Sequence, residues 1–132
     1  MATITNQAAL SYNGVTTLSN IAVGELVEVL TATKTAADTT YTAGGVKTFV
    51  ISLVNSSAAA LTGLTVTDTL GSYTFSGNTL YPLTYVTGSL LYYVNGALQA
   101  TPTVTATAPL TVTGVTVPAG GSAMLIYTAR VN

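Results

Sequence analysis

VKTFVISLVNSSAAALTGLTVTDTL, residues 46–70, decides the fold class. Phe49, Ile51 and Leu53 fall on one face of its first half, with Thr48, Val50, Ser52 and Val54 on the other. In its second half Leu64, Val66 and Leu70 oppose Thr65, Thr67 and Thr69. A period of two built from Val, Ile and Thr signals half-buried β-strands, because successive side chains of a strand point to opposite faces. Two polar residues keep step with the apolar faces: Asn55 follows Leu53, and Asp68 stands between Val66 and Leu70.

Working outward, Ile21–Ala36 is apolar and then strictly alternating, with Leu30, Ala32, Lys34 and Ala36 on one face. Lys34 is therefore a third polar residue in phase with apolar ones. Residues 2–12, ATITNQAALSY, predict a thinly apolar strand, and Asn13-Gly14 predicts a tight type I′ hairpin turn before a return along Val15–Leu18. A lone hairpin is marginally stable, so this arm must dock on something. Downstream, Asp38–Gly45 reads as a turn, and one short strand near Tyr73–Phe75 interrupts a loop. Further strands are expected at Leu83–Thr87, Leu90–Val94, Thr103–Thr107, Leu110–Val117 and Ser122–Asn132, with turns at Asn95-Gly96 and Pro118–Gly121. No stretch carries a helical period. Short strands with regular turn signals predict an all-β fold, an antiparallel β-sandwich over residues 21–132 with an N-terminal strand or hairpin arm over 1–20.

Composition narrows the function. Charged residues make up 5% of the 132, against about a quarter in an ordinary soluble domain, and none occurs between Thr69 and Ala129. A net charge of −1 supplies little repulsion between copies, so self-association is the expected partnership. Three scattered cations exclude a nucleic-acid patch, and polar residues interrupt every apolar run, so no membrane-spanning helix is expected. With no Cys and no His, thiolate and imidazole metal sites are excluded; no metal, cofactor or small-molecule substrate is expected. No Ser or Thr has a His partner, and Glu25 and Glu28 read as a simple surface pair, so the chain is not read as an enzyme. The N-terminus shows no Sec-type signal pattern.

TATKTA, YTAGGVKTFVISLVNSS, ALTGLTVTDTL, PLTYVTGSL and VPAGGSAMLIYTARVN follow one another in an order that resembles a bacterial surface-protein repeat, the domain of unknown function eleven. The likeness runs from about Leu30 to Asn132. It implies an Ig-like sandwich, an extracellular or surface setting and a non-catalytic role. The T-I-T-N-Q-A opening is similar to short chains of spore-forming clostridia, where related domains occur in spore appendages. In tandem members of the repeat a strand resembling I-T-N-x-A-x-x follows the segment like GGSAMLIYTARVN; here ITNQAALSY stands at the other end, at Ile4–Tyr12.

That displacement leads to the expected function: a structural subunit of an extracellular, cell-surface or spore-surface filament. Ile4, Thr5, Asn6, Ala8 and Leu10 would form a donor strand inserted into the open sandwich of the next copy. The alternative is a monomeric surface module, adhesive or glycan-binding, with the arm folded back and Tyr81, Tyr85, Tyr92 and Tyr93 as a carbohydrate platform. Lys34, Asn55 and Asp68 together are the residue set of an intramolecular isopeptide crosslink, with Lys34 as nucleophile, Asn55 as acceptor and Asp68 as acid. The competing reading of the same three is a Lys34–Asp68 ion pair, with Asn55 hydrogen-bonding a turn at its strand end.

Overall fold

The computed structural model describes residues 3–25 and 29–132. Thirteen strands and no helix occur among them. Strands β1 (Thr3–Tyr12) and β2 (Val15–Glu25) pair only with each other, as an antiparallel hairpin. The remaining strands are β3 (Leu30–Ala36), β4 (Val46–Asn55), β5 (Leu61–Asp68), β6 (Tyr73–Phe75), β7 (Asn78–Leu80), β8 (Leu83–Tyr85), β9 (Leu91–Val94), β10 (Ala97–Gln99), β11 (Thr103–Thr107), β12 (Leu110–Val117) and β13 (Ser122–Val131).

Two sheets face each other. The larger has the order β10-β9-β13-β4-β3, with β8 also on β13; the smaller has the order β11-β12-β5. All pairings are antiparallel. The 46–70 stretch thus supplies one strand to each sheet rather than a hairpin. Phe49, Ile51 and Leu53 of β4 and Leu125, Tyr127 and Ala129 of β13 meet Leu110, Val112, Val115 and Val117 of β12 in the core, each less than a tenth exposed. The Phe49 and Tyr127 rings stack at 5.5 Å.

The expected turns form for the expected reason. Asn13-Gly14 and Asn95-Gly96 both take positive φ (47° and 77°; 47° and 80°), as a type I′ turn requires. Ser76-Gly77 does the same between β6 and β7, within what the sequence suggested was mostly loop. The arm ends later than expected. Ile21–Glu25 continues β2, so a boundary at residue 20 would cut the hairpin in two. Glu28, and the side chain of Glu25, lie outside the described residues.

Candidate assembly groove

Three strands facing five leave the sandwich open along one side. β5 is an edge of the small sheet and β3 an edge of the large one. Between them lies a groove of about 500 Å³, lined by Leu30, Ala32 and Lys34 of β3, Ile51 and Leu53 of β4, and Leu64, Val66 and Asp68 of β5, among others. The alternation of β3 and β5 points these side chains inward, yet Leu30, Leu64 and Val66 are only half-buried and Ala32 is exposed. They would be core residues if one more strand lay beside β5. The free edge of β5 also presents unpaired backbone groups, which natural sheets normally cover or blunt.

The groove has a polar end. Lys34 Nζ lies 2.6 Å from Asp68 Oδ2; the lysine side chain is 40% exposed through the open groove, whereas that of Asp68 is 5% exposed. The same Oδ2 accepts the Tyr127 hydroxyl at 2.5 Å, and Oδ1 accepts the backbone N–H of Leu70 at 2.9 Å. The Lys34 amine also stands 4.6 Å from the centroid of the Phe49 ring and 5.9 Å from that of Tyr127. Burial pushes the Asp68 carboxyl up, but the bonds from Lys34, Tyr127 and Leu70 outweigh it and hold it below the usual carboxylate range. Burial, reinforced by the charge of Asp68, pushes the Tyr127 phenol well up.

Asn55 does not join this pair. β3 and β4 are in register with Lys34 opposite Ile51 and Leu30 opposite Asn55. Four residues along a strand separate the lysine from the asparagine by roughly 13 Å. The fully buried Asn55 amide instead donates to the carbonyls of Ala59, Pro118 and Val117 at 2.8, 3.1 and 3.2 Å, and Oδ1 accepts from the backbone and hydroxyl of Ser57. It pins the β4–β5 connection to the β12–β13 turn. The Lys34–Asn55 crosslink is therefore ruled out by register, and the ion pair with a turn-binding Asn55 is the arrangement found.

Ile4, Thr5, Asn6, Ala8 and Leu10 all lie on β1, in a hairpin whose side chains from Thr3 to Gly24 are all exposed. Ile4, Asn6, Ala8, Leu10 and Tyr12 share one face of β1; Thr5 is on the other. Ile4, Leu10, Tyr12, Val15, Leu18, Ile21 and Val23 are each 55–75% exposed. The tyrosine platform does not form. Tyr85 and Tyr92 are core residues, and the Tyr92 hydroxyl donates to the carbonyl of Thr116.

Two participants escaped the sequence reading. Tyr127 was legible only as an apolar-face residue of the last strand, though a phenol in a core needs a partner and a buried carboxylate is a good one. Lys47 is 8% exposed, in phase with Phe49, and bonds Asp38 at 3.1 Å; its phase was the available signal. No family model matches the chain, nor does any curated protein or solved structure.

Proposed function

We propose that this chain is a structural subunit of an extracellular or surface filament, polymerising head to tail by docking the β1–β2 hairpin of one copy into the β3/β5 groove of the next. One observation carries the reading: the same chain presents an apolar hairpin without cover and a sandwich with an uncovered apolar groove. Docking would give the edge of β5 main-chain hydrogen bonds and fill the groove with alternate side chains, the logic of strand addition. The two surfaces differ, so the contact is heterologous and propagates instead of closing. With a net charge of −1, little electrostatic repulsion opposes it. Placement on a cell or spore surface rests on the resemblance to surface-protein repeats and spore-appendage chains read in the sequence alone.

The test uses two single substitutions. Ala8→Arg puts a charge on the docking face of an exposed hairpin and leaves the groove intact; Thr65→Pro blocks the β5 edge and leaves the hairpin intact. Full-length protein should form fibres by negative-stain microscopy, each variant alone should stay monomeric, and a mixture of the two should stop at a dimer. Fibres from either variant alone would refute the assignment.

A further inference from the structure

We infer that docking is followed by a covalent bond: Lys34 of the receiving copy condenses with the side chain of Asn6 of the inserted hairpin, with Asp68 as the proton carrier. The inference rests on the head-to-tail reading and adds a register and a reaction to it.

The register follows from polarity. Along the groove both edge strands run from an apolar end to a polar end, Leu30 to Lys34 on β3 and Leu64 to Asp68 on β5. The docking face of β1 reads Ile4, Asn6, Ala8, Leu10, with Asn6 its one in-phase polar residue. Placing Asn6 at the polar end leaves two directions. Parallel to β5, Ala8 and Leu10 run past the polar end and leave Leu64 and Leu30 bare. Antiparallel, Ala8 falls opposite Val66 and Leu10 opposite Leu64, and the apolar length is covered.

Strand chirality gives the same direction independently. The Asn13-Gly14 turn closes on the Tyr12–Val15 pair, so even residues of β1 turn their peptide groups toward β2 and odd residues turn theirs to the free edge. For L-residues this fixes the side on which β2 lies once the even side chains face inward. The bond from Ala37 N–H to Thr48 O sets the hand of the β3–β4 edge. With that hand, β2 lies outside the sandwich when β1 runs antiparallel to β5, and collides with β5 when it runs parallel. The hairpin then widens the small sheet from three strands to five, matching the β10-β9-β13-β4-β3 sheet it faces.

In this register Asn6 and Asp68 are directly opposed, their Cα atoms about 4.5–5.5 Å apart. Lys34 Nζ already touches Asp68, so amine, carboxyl and carboxamide converge at one point against the Phe49 and Tyr127 rings. In the open groove the Lys34 side chain is 40% exposed beside an Asp68 carboxylate that is already buried. Covering the groove withdraws the water left at the amine, which raises the cost of holding a separated charge pair, and the ammonium proton passes to the carboxylate. The free Nζ attacks Cγ of Asn6, whose oxygen is polarised by the Asp68 hydroxyl. A new C–N bond forms and the old one breaks. Asp68 relays the amine proton to the departing nitrogen, ammonia leaves, and a Lys34–Asn6 amide remains. Nothing is oxidised or reduced, and no co-reactant is needed.

The experiment uses the dimer made by mixing Ala8→Arg with Thr65→Pro. Its intact mass under denaturing conditions should be the sum of the two chains less one ammonia, with a branched peptide joining Lys34 to Asn6. Adding Asn6→Ala to the Thr65→Pro chain, at a position exposed in the free subunit, should still allow a native dimer that falls apart in hot detergent. A native dimer of unmodified mass overturns the crosslink while leaving assembly intact. A monomer lighter by one ammonia overturns the intermolecular bond in favour of one within a chain. Failure to form any dimer overturns the head-to-tail reading itself, and the crosslink with it.

Discussion

Asn55→Asp changes one NH₂ group to oxygen at constant shape, and it tests the role assigned to this residue. The wild-type amide is fully buried and donates to three backbone carbonyls at 2.8–3.2 Å. The introduced carboxyl keeps the Ser57 bonds on one oxygen but turns an acceptor toward those carbonyls. Two lost N–H bonds at about 1 kcal/mol each, plus about 1–2 kcal/mol for carbonyls left without a donor, give a cost of about 3–4 kcal/mol at pH 7. The sign of the pH dependence is fixed as well. Burial and the facing carbonyls favour the protonated carboxyl, raising its folded pKa above its unfolded value. The folded variant therefore binds the extra proton, and the deficit shrinks as pH falls from 7 toward 4. Urea unfolding by tyrosine fluorescence, in the Ala8→Arg background expected to be monomeric, should show a midpoint lowered by about 2 M at pH 7 and by less at pH 5. A variant within about 1 kcal/mol of its parent, or equally destabilised at both pH values, would refute the assigned geometry.

Tyr127→Phe keeps the stacking on Phe49 and removes one donor from buried Asp68. The expected loss is about 2 kcal/mol at neutral pH. Asp68 has a depressed folded pKa, so its contribution is present above the ordinary carboxylate range and is lost as pH falls through the folded value. Thermal melts should therefore show the gap between the two proteins narrowing at acid pH, and an equal gap at pH 7 and pH 3 would count against the bond. Gly121→Ala would bring a Cβ to 2.7 Å from both Pro118 Cγ and Asn95 Oδ1. A loss of about 1–3 kcal/mol is expected by urea unfolding, and one under about 0.5 kcal/mol would mean that the β12–β13 turn is not closely packed.

The sandwich was legible because each long strand reports its own two faces. Phe49, Ile51 and Leu53 are buried and Val50 and Val54 less so, as alternation demands. The turns were legible because Asn-Gly has few other uses. The Lys34–Asp68 pair was legible as two phase errors on predicted strands. Its separation from Asn55 was not, because phase says which face a residue occupies and register says how far along. Only the pairing of Leu30 with Asn55 settles that. Ser76-Gly77 shows the opposite failure: β6 lies at Tyr73–Phe75 as expected, but its partner β7, three residues long, is too short to display a period.

The hairpin carries a bulge with a consequence for the sides of a fibre. Gln7 faces Ile21 but Ala9 faces Leu18, so Ser19 and Asn20 together oppose Ala8. Beyond the bulge β2 changes phase, and Ile21 and Val23 join Leu18 on the face away from Ile4, Ala8 and Leu10. A ribbon that sinks one face into a groove still shows this second apolar stripe to solvent. Repeated at every subunit along a polymer, contacts too weak to pair two monomers act together. In a fibre of the proposed kind the bulge would make the arm bivalent, with one face for growth along the axis and one for gathering fibres side by side.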